Sequence, residues 1–388
     1  MVTSRAVTLH VGQLKTATTS LQSGLFAARN ALVVSGYDYR PAAGRYHLRE
    51  ALDLMRRDPE SASRMSRRLQ HTTRVILAEH NCYWPDLVNS VKRHSGRTLL
   101  SAESLSFAAH PTAARVARDL DGVPIRIVAT TRPLSGMVVS AYGELAKRFV
   151  MPDADAFVRG VLLRLLEEGD ESRFSWLLAR RLRSVWAPIA TEGWFEVPFG
   201  DQSAAEYQRA FWRAMGIESI DPPGMPEENS SLPAGALIAW QEHLRRAGTY
   251  DARVDGGTVM ALMAVNAERQ AAPRSRLRLT VSVAALVDRC FPHSVAADEP
   301  ADHAVAMLRD RLRTPAALVE YEPIGVPVEL DQEVAHWRAV LVRKHRVVGA
   351  RIAVARFLRV RRSAHPDWDR FRGETPLESI EFPDPVDG

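Results

Sequence analysis

The sequence predicts an α/β protein: a doubly wound, mostly parallel sheet with helices on both faces, in a P-loop-like arrangement, plus a helical C-terminal extension. Two observations carry that prediction. Short strand-like runs and helical segments alternate from residue 6 onward, the pattern of a parallel sheet whose crossovers are helices. The first run also breaks at Gly12 and passes through a tight, hydroxyl-rich loop straight into a helix. In such sheets ligands sit at the carboxyl ends of the strands.

In order, Val7, Leu9 and Val11 alternate along a first strand that ends at Gly12. Thr18 or Thr19 opens an amphipathic helix, with Leu21, Leu25, Ala28 and Leu32 spaced by about one turn. Residues 31–39 read as a second short strand, followed by a loop kept irregular by Pro41 and Gly44. His47 precedes a helical run, Leu48 to Arg57, and residues 58–90 read as mainly helical from the start signal Asp58-Pro59-Glu60-Ser61. Arg97 to Ser101 is a buried strand, followed at once by Ala102, Glu103 and Ser104. A helix near 111–119 leads into a strong strand, Val123 to Thr131, and Pro133 then suits the first position of the next helix. Arg173 to Val185 reads as a helix with Trp176 and Trp186 in the core, and Trp194 to Phe199 as a further strand. Ala204 to Met215 is a helix closed by Gly216. The segment 229–232 (Asn-Ser-Ser-Leu) signals the start of a helix from Ala234 to Arg246, and Leu277 to Arg289 is another helical stretch. Pro292 to Pro300 is polar and proline-flanked, a linker between a body over 1–295 and an extension over 301–388.

Composition excludes several classes. With 388 residues, 46% hydrophobic and 25% charged, the chain has material for a large core and no low-complexity tract. Its two cysteines, Cys82 and Cys290, stand far apart, which argues for a reducing compartment and against a disulfide scaffold or zinc site. The first strand begins too early for a signal peptide, and no apolar run is long enough to span a membrane, so a cytoplasmic protein is expected. The net charge of +5 is concentrated: nine Lys or Arg and no acidic residue lie between Trp337 and Arg362. That segment reads as a long helix, Asp331 to Arg362, with an apolar stripe of Val334, Trp337, Leu341, Val348 and Ile352. Its basic faces, carrying Arg338, Arg343, Lys344, Arg346, Arg351, Arg356 and Arg359, are either a peripheral dock for an anionic membrane or simply solvated. No stacking aromatics or motif points to nucleic acid.

Two constellations carry chemistry. The loop after the first strand places Gly12, Lys15, Thr16, Ala17, Thr18 and Thr19 at a helix start, where free backbone amides, the helix dipole and the Lys15 ammonium suit an anion. It is not a standard triphosphate loop, because Lys15 comes only three residues after Gly12 and Ala17 stands where a glycine is expected. If residue 17 needs a positive φ, alanine costs about 1–2 kcal/mol there. The second constellation is Arg132 at a strand's carboxyl end and Ser140 two turns into the following helix, a fork and a hydroxyl able to grip a second phosphate.

Together these residues resemble the sulfotransferases that use 3′-phosphoadenosine 5′-phosphosulfate (PAPS), in the bacterial branch with a K-T-G-T-T-S-L-Q type loop. Residues 15–22 (Lys-Thr-Ala-Thr-Thr-Ser-Leu-Gln) match that loop except at Ala17, and Arg132 and Ser140 match the arginine and serine that hold the 3′-phosphate. Looser likenesses are Trp194 to Gly200 and the segment 229–232, so the resemblance spans roughly 5–295. It implies an O-sulfotransferase with PAPS as donor and 3′,5′-ADP as product, acting on a hydroxyl of a carbohydrate, glycolipid or other small metabolite. It implies that Lys15 serves as the catalytic cation, that the loop binds the phosphosulfate, with Thr16, Thr18 and Thr19 and their backbone amides on its non-bridging oxygens, and that a His or Glu after a strand takes the acceptor proton. Glu103 and His47 are the candidates for that base, with His80 a weaker third, and Lys147 is placed to meet an acidic acceptor. No carboxylate pair beside the loop suits Mg²⁺, and no metal is expected. The alternatives are a P-loop kinase-like phosphotransferase using ATP, and a non-catalytic nucleotide- or membrane-binding protein.

Overall fold

The computed structural model describes residues 5–13, 16–42, 47–64, 82–147, 149–200, 202–224, 232–248, 254–268, 274–292, 302–324 and 329–364, with the backbone alone beyond residue 350. Lys15, His80 and Gly44, together with residues 229–231 and 293–300, lie outside this set, as do the side chains of Arg351, Ile352, Arg356 and Arg359.

The first half is an α/β unit. Its elements are β1 (Ala6–Gly12), α1 (Thr18–Ala27), α2 (Arg29–Val34), β2 (Tyr37–Asp38), α3 (Leu48–Arg56), α4 (Pro59–Arg64), α5 (Tyr83–Arg93), β3 (Arg97–Ser101), α6 (His110–Asp119), β4 (Ile125–Thr131), α7 (Leu134–Ala146), α8 (Ala154–Glu168), α9 (Ala179–Trp186), β5 (Trp194–Pro198) and α10 (Ala204–Ala214). The five strands form one sheet in the order β2-β3-β1-β4-β5, and every neighbouring pair is parallel. β1 is buried at all seven positions, as the centre of a sheet covered on both sides must be. Val7, Leu9, Val11, Ile127 and Ala129 join one core with residues of α3, α5, α6 and α9. Leu99, Val128 and Val197 join a second core with Leu21 and Leu25 of α1 and Phe211 and Trp212 of α10.

The rest of the chain adds α11 (Ala234–Ala247), α12 (Val254–Glu268), β6 (Arg274–Leu279), α13 (Val281–Cys290), α14 (Asp302–Arg313), β7 (Val319–Ile324) and α15 (Leu330–Ala364). These pack with α7 and α8 around Trp240, Val283, Leu308, Trp337 and Leu341. β6 and β7 pair antiparallel, so a strand from either side of the expected linker completes one ribbon. The boundary expected at 295–301 therefore does not divide two cores. Among the described residues no helix is long and apolar enough to cross a membrane.

Three local expectations change. Residues 29–34 are helical, because only Leu32 of that run needs burial while Val33 and Val34 face solvent; the strand is reduced to Tyr37–Asp38. Leu277–Leu279 belongs to β6, because Arg276 and Arg278 pair across the ribbon with Glu322 and Glu320, and the helix starts only after Thr280. The expected helix from Arg173 starts at Ala179, since extended Leu178 separates it from a 3₁₀ turn at Ser175–Leu177; Trp186 is fully buried but Trp176 only half so.

Candidate functional site

The strand order reverses about β1, whose neighbours β3 and β4 both come later in the chain. The crevice at such a reversal opens at the carboxyl ends of the flanking strands. Gly12, Ser101 and Thr131 close β1, β3 and β4, so the loop, Glu103 and Arg132 all issue from this one edge.

The loop leaves β1 under tight constraint. A Cβ on Gly12 would stand 2.4 Å from Thr130 Oγ1 and 2.7 Å from Thr18 Cγ2, so only glycine fits there. Gln13 then locks the loop to its neighbours: its amide donates to the Leu177 carbonyl at 2.7 Å, and its Oε1 accepts from the Arg132 amide at 2.8 Å. Ala17 caps α1 with φ 55° and ψ 23°, the one described non-glycine residue with positive φ. The strain that alanine brings to a left-handed position is therefore present in this loop. The N-cap of α1, Ala17, makes no side-chain bond to the first-turn amides at the crevice.

Beneath the loop lies a buried hydrogen-bond chain whose direction can be worked out atom by atom. Thr16 spends its only hydroxyl proton on the Gln13 carbonyl at 2.8 Å, so the 2.8 Å contact between Thr16 and Thr130 must be donated by Thr130. Thr130 then accepts from His10 Nε2 at 3.0 Å, which leaves His10 Nδ1 to accept from the Ser101 hydroxyl at 2.7 Å. Ser101 in turn accepts from the Gln22 amide at 3.1 Å. Every proton runs one way, from Gln22 to Gln13, and requires a neutral His10. Burial pulls the pKa of this ring down to about 3, in agreement. Tyr207 adds a brace by donating to the Thr16 carbonyl at 2.8 Å.

Thr16, expected to line the anion cradle with its hydroxyl, is fully buried in this chain. The hydroxyl of Thr18 is committed as well, donating to Glu103 Oε2 at 2.7 Å. Thr19, the remaining hydroxyl of the loop, is half-buried.

The two base candidates sit in different environments. Glu103, in a 3₁₀ turn after β3, is half-buried and touches the start of α1 through Thr18. His47 is fully buried against Tyr39, ring centroids 5.1 Å apart, and is tied to Ser101 by two bonds. Its amide donates to the Ser101 carbonyl at 3.0 Å, and its Nδ1 accepts from the Ser101 amide at 3.3 Å. A neutral ring that accepts at Nδ1 carries its proton on Nε2, and that buried Nε2 has no hydrogen-bond partner among the described residues. Burial holds the His47 pKa near 3, so neutral is its resting state.

Arg132 is half-buried above the Phe199 ring, 5.3 Å from its centroid. Desolvation, then the nearby Arg276, hold its pKa below the usual arginine range. Ser140 lies farther along α7, half-buried. Lys147, expected to reach an acidic acceptor, is buried and paired with Glu144 at 3.2 Å. On α15, Arg338 is likewise engaged, both of its bonds to Glu242 measuring 2.7 Å. No protein-family model, curated protein or solved structure matches this chain.

Proposed function

We propose that this protein is a PAPS-dependent O-sulfotransferase on a P-loop-like sulfotransferase fold. The observation that carries the reading is the convergence of three strand ends: the loop after β1, Glu103 after β3 and Arg132 after β4. A ligand with phosphate at both ends of an adenosine needs two cationic grips, and Lys15 and Arg132 supply them from neighbouring strands. The start of α1, where Ala17 makes no side-chain cap, fits an anionic group.

In this reading the loop amides and Lys15 hold the phosphosulfate, and Arg132 with Ser140 holds the 3′-phosphate. Glu103 takes the proton from the acceptor hydroxyl as its oxygen bonds to sulfur. Lys15 meets the negative charge left on the bridging oxygen when the sulfur–oxygen bond to the nucleotide breaks. Of the two base candidates Glu103 is preferred, because the His47 tautomer offers an N–H where a base needs a lone pair. The half of α15 with the basic excess makes peripheral contact with an anionic membrane a secondary element of the same proposal.

One observation weighs against the ATP alternative. In a Mg·ATP loop the hydroxyl after the lysine ligates the metal, whereas Thr16 Oγ1 is buried and spent on Gln13 and Thr130. Calorimetric titration of 3′,5′-ADP without metal, against Mg·ATP, tests the reading. Preferential binding of 3′,5′-ADP is expected, and preference for Mg·ATP would overturn it. Mass spectrometry of metabolites incubated with PAPS and the protein then identifies the acceptor.

A further inference from the structure

Far along the chain from the loop, three side chains from three helices converge. His243 of α11 and His345 of α15 both turn a ring Nε2 toward Asp255 in the first turn of α12. Asp255 Oδ1 stands 3.4 Å from His345 Nε2 and 3.9 Å from His243 Nε2, and the ring centroids are 4.6 Å apart. One ligand atom from each residue lies within 4.8 Å of the other two. The fully buried indole of Trp240 stacks on His243 at 5.4 Å and 24°, setting that ring's plane. The carboxylate is buried, with side-chain exposure of 7%, while the imidazoles are exposed by 28% and 33%.

These separations discriminate between two readings. A hydrogen-bonded His–Asp pair needs a nitrogen–oxygen distance of about 2.7–3.2 Å, and both measured distances are longer. Donors bound tetrahedrally at about 2.05 Å stand about 3.3 Å from one another, which follows from metal–nitrogen and metal–oxygen bond lengths. The 3.4 Å edge matches that value, the 3.9 Å edge needs a small contraction, and the edge between the two histidines, within 4.8 Å, closes by rotation of the part-exposed rings. Two imidazoles and a carboxylate form a donor set for borderline metals such as zinc, cobalt or nickel, and a poor one for magnesium or calcium.

We propose that His243, Asp255 and His345 bind one divalent transition-metal ion of the zinc type, with water in the fourth position. The site joins the C-terminal helix α15 to α11 and α12, so the ion acts as a staple holding the basic helix on the body. The proposal departs from the expectation, drawn from the cysteines and from the lack of a carboxylate pair beside the loop, that no metal is involved. About a hundred residues separate the two histidines, and no spacing motif can announce such a site.

The test uses the full chain, stripped with chelator and titrated with Zn²⁺ by calorimetry and with Co²⁺ by visible absorption. One ion per chain is expected, with the intense d–d bands of four-coordinate Co²⁺ and a melting temperature raised by Zn²⁺. His243→Gln, Asp255→Asn and His345→Gln should each weaken Zn²⁺ binding at least tenfold, while His303→Gln, outside the site, should not. Circular dichroism of the metal-free variants checks that they fold. If a variant does not fold, the Co²⁺ spectrum of the unaltered chain decides, since an octahedral, water-like spectrum would overturn the site. Absence of stoichiometric binding, or binding that survives all three substitutions, would overturn it as well.

Discussion

The hydroxyl of Thr18 donates to Glu103 Oε2 at 2.7 Å, joining the first turn of α1 to the turn that follows β3. The proposed anion-binding helix and the proposed base are thus joined by this bond. In the sulfotransferase reading, Glu103→Gln should lower kcat by about 10²–10⁴-fold with little change in the KM for the donor. Thr18→Val keeps the carboxylate but removes this bond, and a lost charge-assisted bond of about 1.5 kcal/mol predicts roughly a tenfold loss. Steady-state kinetics on both variants checks this; wild-type turnover in Glu103→Gln would leave that residue as a brace only.

Ala17 makes a prediction that needs no ligand. Replacing it with glycine removes about 1–2 kcal/mol of left-handed strain and adds about 0.4–1 kcal/mol of chain entropy to the unfolded state. Ala17→Gly should therefore stabilise the protein, by about 0.5–1 kcal/mol, and Ala17→Val should destabilise it. Urea unfolding midpoints measure both.

Acid stability follows from His10 and His47. Both fold with pKa values near 3, below the ordinary histidine value of 6.5, so the unfolded chain binds protons that the folded chain refuses. Their contribution is fully present above pH 6.5 and is lost as the pH falls from there towards 3, by about 1.4 kcal/mol per pH unit for each ring. Unfolding midpoints between pH 7.5 and 5 should fall steeply, and the slope should be shallower in His47→Gln. Equal slopes in the two proteins would mean that His47 titrates normally when folded.

Charge removal separates the two grips. Lys15→Ala should cut turnover by about 10–100-fold, the equivalent of 1.5–3 kcal/mol. Arg132→Ala should weaken 3′,5′-ADP binding far more than binding of adenosine 5′-phosphosulfate, which lacks the 3′-phosphate. Titration calorimetry with both nucleotides reads the difference, and equal losses would contradict a 3′-phosphate role for Arg132.

Much of the α/β frame was legible because its signals are local. Leu21 and Leu25 recur at helical spacing, β3 spans the expected Arg97–Ser101, and Gly12 ends β1 as its break in pattern suggests. What the sequence hid is made by distance along the chain. Leu277 looks helical until its strand meets Val319–Ile324, and the arginines beside it find glutamates that no local window contains. The chain through His10 was missed for the same reason: a histidine within an apolar strand declares no partners, and Ser101 and Thr130 arrive with β3 and β4. Thr16 and Thr18 were read as ligand-facing because hydroxyls in such loops often are; here packing against Thr130 and Glu103 claims them first.

The β6–β7 ribbon has a consequence for how this protein is made on the ribosome. All five strands of the parallel sheet have emerged once Pro198 has left the exit tunnel, so that layer can close while the remainder is still being translated. α7 and α8, by contrast, belong to a core that also needs Leu308, Trp337 and Leu341, and β6 must wait for β7. Until those residues leave the tunnel, the nascent chain carries a finished sheet beside an apolar surface and an unpaired strand. A premature stop near residue 300 would freeze that intermediate, and the released fragment should aggregate or be degraded rather than survive as a shorter protein.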